Sequence, residues 1–195
     1  MPLLSLCATL ILLYIFVPRQ PATAELVPIT PPATSPIATP MAPVVATVAT
    51  PAQLMIEGIN VAAAINSVGV NTMGDMDIDD DATKVAWYKL GPKPGEEGSA
   101  VIAGHYGWKD GVSSVFNNLS KLVKGDTIST IGEDGVTKTF VVTRSEIYAP
   151  DQDATYVFKS DDGKAHLNLI TCQGSWNNSA QTYSERLVVF TDLVL

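Results

Sequence analysis

Cys172, His105 and Arg186 are the residues of this 195-residue chain whose types together could perform acyl transfer. A free thiol has a pKa of about 8.5 and is mostly protonated at neutral pH, whereas the thiolate is the competent nucleophile. An imidazole can take the thiol proton and later return it to a leaving amine. A guanidinium, always charged, can stabilise a thiolate or an oxyanion, or grip substrate carbonyls. Backbone N–H groups nearby would complete an oxyanion hole. Taken alone, each residue also has an ordinary reading, and a lone Cys at the end of an apolar strand is more often a small buried hydrophobe.

The elements around the three residues argue for bringing them together. His166 to Cys172 reads as a strand whose alternation puts His166, Asn168, Ile170 and Cys172 on one face and Leu167, Leu169 and Thr171 on the other. The next strand begins at Arg186, after thirteen residues (Gln173 to Glu185) rich in Gly, Ser, Asn and Thr. Antiparallel pairing across that loop makes Cys172 and Arg186 neighbours at one rim. Of the two histidines, His166 lies about 20 Å from Cys172 along a continuous strand at ~3.3 Å per residue, beyond proton-transfer reach. His105 ends the strand-like run Ser99 to His105 and opens a loop, where functional side chains are often carried.

Other runs rich in Val, Ile, Thr and aromatics, at 85–90, 127–131, 137–148 and 186–194, also read as strands. Turn chemistry separates them at 91–95, Gly125-Asp126, 133–135 and 161–163. Val115, Phe116, Leu119, Leu122 and Val123 have helical spacing, which predicts one short helix over 113–123. The expected fold is mainly β, a single closed barrel with one or two short helices, from residue 53 to 195.

Residues 3–17 are uncharged and apolar, about 22 Å long as a helix at ~1.5 Å per residue, shorter than a ~30 Å hydrocarbon core. The segment (1–17 with its leading residues) fits a signal peptide or a short N-terminal membrane anchor. Ala22-Thr23-Ala24 offers a small-residue cleavage site. From 18 to 52 the chain is rich in Pro, Ala and Thr, with nine prolines between Pro18 and Pro51, and reads as a semi-rigid spacer. This arrangement predicts a domain on the extracytoplasmic face of a cell membrane, or a secreted one if cleavage occurs near Ala24. The other cysteine, Cys7, lies inside the apolar segment, so Cys172 is expected to be an unpaired thiol in an oxidising setting. A net charge of -8 and a pI near 4.6 oppose nucleic-acid binding, which needs a clustered basic face.

Three segments in order resemble the sortase family: Ala103-Gly104-His105 its histidine motif, Leu169-Ile170-Thr171-Cys172 its Thr-Cys motif, and Glu185-Arg186-Leu187-Val188-Val189 its arginine motif. Trp87 to Pro92, with Pro94-Gly95-Glu96, is similar to the segment preceding the histidine in the class D, E and F subgroups of Gram-positive bacteria. The resemblance spans about residues 54–195. It implies an eight-stranded β-barrel that cleaves a C-terminal LPxTG-like sorting motif after its threonine, through a thioester on Cys172. An amine of a cell-wall precursor or a pilin lysine then takes the acyl group. The resemblance places Cys172, His105 and Arg186 as catalytic residues and Thr171 in the substrate environment, where Ala103 of the histidine motif is also expected; Trp176, in the loop between Cys172 and Arg186, either lines the substrate groove or caps the barrel. No cofactor is implied, and the partners are surface proteins bearing the motif and the amine acceptor.

The same residues also suit a hydrolytic cysteine peptidase, and a non-catalytic surface-binding barrel remains a third reading. Asp75, Asp77, Asp79, Asp80 and Asp81 cluster in one loop, but they lack the Gly and terminal Glu of an EF-hand and read as solvated acid. No metal site is expected there.

Overall fold

The computed structural model describes residues 47–109 and 111–194. The apolar segment 3–17 and the spacer up to residue 46 lie outside them. No helix of the described residues is long and apolar enough to cross a membrane. Ten strands follow in chain order: β1 (Pro51–Ile56), β2 (Val61–Val68), β3 (Val85–Tyr88), β4 (Gly98–Gly104), β5 (Trp108–Lys109), β6 (Val112–Ser113), β7 (Thr127–Gly132), β8 (Thr137–Tyr148), β9 (Ala165–Asn177) and β10 (Thr182–Leu193). Eight close into a barrel in the order β1-β2-β3-β4-β9-β10-β8-β7, while β5 and β6 form a separate small hairpin. The β2–β3 and β4–β9 pairs are parallel, and the other barrel pairs are antiparallel.

All eight barrel strands send apolar side chains inward. Leu54 and Ile56 of β1, Val61, Ala63 and Ile65 of β2, and Leu167 and Leu169 of β9 belong to one buried cluster with Ile102, Phe140 and Val189. Closure leaves no unpaired edge among these strands, which is the usual risk of an all-β chain. β1 and β2 were not expected from the sequence. In β2 the inward positions Val61, Ala63 and Ile65 alternate with Ala62, Ala64 and Asn66, and so many alanines blunt the period-two signal.

Two expectations are corrected. No α-helix forms over 113–123. After β6 the chain makes turns and one 3-10 turn at Leu119–Lys121. Phe116, Leu119 and Leu122, spaced by three, are buried, while Val123 is exposed. A period of three suits the 3-10 turn as well as a helix and cannot separate them over so short a run. The thirteen residues after Cys172 are not an open loop either. β9 runs on to Asn177 and β10 begins at Thr182, so a long hairpin projects past Cys172 and Arg186 and turns at 178–181.

The described chain arrives at the barrel end remote from Tyr148. Pro51 pairs with Gly132 of β7, and Thr137 of β8 stands beside Ile131. Lys93 Nζ donates to the Val48 carbonyl at 2.6 Å and Glu133 N–H to the Thr50 carbonyl at 2.9 Å, fixing that arrival.

A second apolar layer covers part of the outer wall, where Tyr148, Val157, Val188 and Phe190 are buried with Ala154, Phe158 and Ile170 against them. It holds the β8–β9 connection to the barrel. Asn168 Nδ2 donates to the Val157 carbonyl at 2.6 Å, Tyr156 stacks on Phe190 with ring centroids 5.8 Å apart, and the Tyr156 hydroxyl donates to Glu146. The far end of the connection is pinned by His166, whose Nδ1 meets Asp192 at 2.9 Å and whose Nε2 meets Asp162 at 3.0 Å. Both carboxylates accept, so both contacts are satisfied only by the imidazolium. Burial opposes that charge, but the hydrogen bonds of Asp162 and Asp192 outweigh it and raise the His166 pKa. Hydrogen bonding from His166 and then Ser160 holds Asp162 well below the usual carboxylate range.

A raised histidine pKa stabilises the fold below the unfolded value of about 6.5 and stops doing so as pH rises through the folded value. A lowered aspartate pKa contributes above its unfolded value and is lost in acid. The melting-temperature gap between wild type and His166→Asn is therefore expected to be wider near about pH 5.5 than near about pH 9. Thermal melts of both proteins at both pH values check this, and an equal gap contradicts it.

Candidate active site

The register of β9 assembles the site. On one side Arg186 stands directly opposite Cys172 in the antiparallel β9–β10 ladder. On the other, β4 pairs in parallel with β9 at a constant offset, from Gly98 opposite Ala165 to Ala103 opposite Ile170. Thr171 Oγ1 extends that contact by donating to the Gly104 carbonyl at 2.7 Å. Carried one step past the end of β4, the same offset sets His105 beside Cys172. Cys172 and Arg186 share the face of Ile170 and Val188 and so lie on the outer wall of the barrel. The strand continues beyond Cys172, so the site is not at an open rim.

Local packing fixes each member. Gly104 is needed for close approach, because a Cβ there would lie 2.5 Å from the Phe116 ring. Phe116 N–H donates to the His105 carbonyl at 3.1 Å, binding the loop after β4. The His105 ring is held from outside by the Asp79 carbonyl, 2.7 Å from Nε2. A carbonyl only accepts, so Nε2 carries the hydrogen, and in the neutral ring the lone pair is on Nδ1. Arg186 folds toward the hairpin. Its Nη1 donates to the Tyr183 and Glu185 carbonyls at 3.1 and 2.9 Å, and its Nη2 to Thr182 Oγ1 at 2.9 Å.

Cys172 is unpaired and half-buried. Burial pushes its thiol pKa up, and the Arg186 charge draws it partly back. The resting sulfur is thus a thiol beside a cation, with its ionisation opposed by the apolar wall.

Cys172 and Arg186 line a groove of about 670 Å³ that also takes in Ala103, Gly104, Ile170, Thr171 and Val188, while His105 is not among its walls. One bank is the β2–β3 connection, including Asn71, Asp75, Asp77 and Ile78. The other is the β8–β9 connection, including Ala149, Pro150, Val157 and Phe158. The structure thus gathers Cys172, Arg186, Thr171 and Ala103 at one place. Trp176 is not among the groove's walls, for it lies on the projecting hairpin, packed edge-on against Tyr183.

The acidic cluster is more ordered than solvated acid. Asp75 and Asp77 face the groove, Asp79 accepts from Asn66 and the Asp81 N–H, and Asp81 accepts from Thr83. Neither groove bank was legible beforehand. The one available sign was Tyr156-Val157-Phe158, an apolar triplet inside an otherwise polar connection.

A Sortase domain model matches residues 54–194. The chain belongs to the sortase family. Among solved structures it is similar to sortase C1 of Streptococcus agalactiae in complex with MTSET, with 24% identity, 74% of this chain and 67% of that one covered, and a TM-score of 0.58. It is similar also to a lid mutant of sortase A from Corynebacterium diphtheriae (24% identity, 75% and 70% covered, TM-score 0.59). A third is a sortase D5 transpeptidase of Clostridium perfringens (22% identity, 75% and 79% covered, TM-score 0.56). At these identities the likeness is one of fold. No curated protein matches the chain.

Removing the cation leaves burial unopposed at the sulfur. Arg186→Gln is expected to move the midpoint of pH-dependent Cys172 alkylation by iodoacetamide upward. A midpoint unchanged or lowered contradicts the pairing of charge and thiol.

Proposed function

We propose that this sortase-family protein is a cysteine transpeptidase, with Cys172 as nucleophile, His105 as proton-transfer partner and Arg186 as cationic support. It acts on a C-terminal sorting motif of the LPxTG kind. The observation that carries this reading is the β9 register, with Cys172 opposite Arg186 and in line with His105, beside a groove that Cys172 and Arg186 line.

In the first half-reaction the Cys172 proton passes to His105 and the thiolate attacks the carbonyl carbon of the motif threonine. The C–S bond forms, the peptide C–N bond breaks, and the imidazolium protonates the leaving amine. In the second, an acceptor amine attacks the thioester. A C–N bond forms, the C–S bond breaks, the electron pair returns to Cys172 sulfur, and His105 takes the amine's proton. Arg186 offsets the negative charge on sulfur and on the tetrahedral oxygen. Thr171 acts as a support, since its hydroxyl ties β9 to the end of β4 just before His105.

The substrates on this reading are surface proteins carrying the motif, and the acceptor is a cell-wall precursor amine or a pilin lysine. The apolar composition of 3–17 and the Pro-rich spacer after it support a domain on the extracytoplasmic side, held by its N-terminal segment or released by cleavage near Ala24.

The test is incubation with a library of C-terminal sorting peptides and a glycine peptide as acceptor, followed by intact-protein mass spectrometry. Wild type is expected to show a thioester on Cys172 and a transfer product. Cys172→Ala shows neither, and His105→Ala loses roughly 10²- to 10⁴-fold in rate. Free acid as the sole product, with acceptor present, identifies a hydrolytic peptidase instead. No adduct with any peptide overturns the reading.

A further inference from the structure

The β2–β3 connection that banks the groove also holds the His105 ring, and the hold traces back to one side chain of the barrel wall. The Asp79 carbonyl stands 2.7 Å from His105 Nε2. Two hydrogen bonds grip the Asp79 carboxylate: Oδ1 accepts from the Asp81 N–H at 2.8 Å, and Oδ2 accepts from Asn66 Nδ2. The first closes a turn of the Asx kind, a ring of atoms that includes the Asp79 carbonyl carbon, so it fixes that carbonyl relative to its own carboxylate. Of the two bonds, only the one from Asn66 comes from a barrel strand. The Asp81 N–H and then the Asn66 amide keep the Asp79 carboxyl below its ordinary range, an acceptor on both oxygens at neutral pH.

Asn66 serves as the point of reference. It lies in β2 opposite Ala86 of β3, and Ala86 in turn stands opposite Ala103 of β4, two residues before His105. One stretch of three adjacent strands thus carries both the imidazole and the amide that anchors its partner. An imidazole whose Nε2–H is bound in this way does not turn over, and the nitrogen left for the thiol proton is Nδ1. Proton transfer needs hydrogen-bond reach, and a displacement of about 1 Å in a catalytic group costs up to roughly 10²-fold in rate.

We infer that Asn66 is a positioning residue for His105: by anchoring the Asp79 carboxylate it aims the Asp79 carbonyl at Nε2 and reserves Nδ1 for the Cys172 proton. The inference rests on the transpeptidase reading and extends it to a residue outside the groove's walls. In the acylation step the S–H bond breaks and an Nδ1–H bond forms, while Nε2–H goes on donating to the carbonyl. The imidazolium then gives the Nδ1 proton to the leaving amine and returns to its starting tautomer.

Exchanging the two side chains isolates the contact. Asn66→Asp sets two carboxylates against each other, and Asp79→Asn leaves either the Asn66 amide or the Asp81 N–H without its acceptor. The double variant Asn66→Asp/Asp79→Asn restores both bonds, the carboxylate at 66 accepting from the amide at 79, whose Oδ1 accepts from the Asp81 N–H. Single-turnover formation of the Cys172 thioester is followed by intact-protein mass spectrometry over a concentration range of a sorting peptide that wild type acylates. Each single variant is expected to lose about five- to fiftyfold in the saturating rate, with the half-saturating peptide concentration kept within about twofold, and the double variant to recover to within about threefold of wild type. Saturating rates within about twofold of wild type in both single variants overturn the inference and leave the transpeptidase reading standing. A rise in the half-saturating concentration alone does the same, because Asn66 then only orders the groove bank. A double variant that melts with wild type yet stays as slow as the single variants also overturns the inference. A wild-type protein that forms no thioester overturns both.

Discussion

Strand β9 is the constraint on which the rest depends. It is paired on both sides, in parallel with β4 and antiparallel with β10, and its inward residues Leu167 and Leu169 are fully buried. A slip of one residue in either ladder would turn these leucines to the outer wall and Cys172 into the core. The cost of exposing that apolar surface is therefore what locates the sulfur relative to Arg186 and His105. Thr171 adds a buried hydrogen bond at the step where β4 ends and its backbone ladder stops. The site's geometry is inherited from barrel packing.

The outer wall does a different task. Most barrels of this size are solvated outside, yet here Tyr148, Val157, Val188 and Phe190 are buried beneath the β8–β9 connection. Arg144 lies over the Phe190 ring at 3.8 Å while its Nε donates to Glu146 at 2.7 Å, and Tyr156 stacks on the same ring. These contacts make the connection a fixed bank of the groove. The opposite bank owes its order to turns closed by aspartate side chains, and it supplies the Asp79 carbonyl that sets the His105 tautomer. Burial at the sulfur and order around the imidazole thus come from the two connections, while the strands supply position.

Legibility in the sequence followed the strength of local signals. β8 spans 137–148 as read, and Cys172 opposite Arg186 follows from alternation and antiparallel pairing alone. β1 and β2 escaped notice because alanine-rich alternation carries little contrast. The hairpin beyond Cys172 was read as a loop because Gly174, Ser175, Asn177 and Ser179 are turn formers, and here tertiary pairing overrides that propensity. The helix at 113–123 failed because spacing by three fits two kinds of helical turn. The partner of His105 is a backbone carbonyl, which no residue type announces. Trp176 was open to two readings, groove or barrel cap, and it stands on the hairpin outside the groove's walls.

The point where the chain joins the barrel bears on mechanics. Pro51 enters beside Gly132, whereas Cys172 sits across from Arg186, itself paired to Tyr148 at the other end of β8. The twelve residues of β8 separate these ends by roughly 36 Å along the strand at ~3.3 Å per residue. A force acting between Pro51 and Cys172 thus runs largely along the strands. β1 is bonded on both sides, to β2 and β7, so the load is shared by two ladders at once in shear, rather than opening one of them bond by bond.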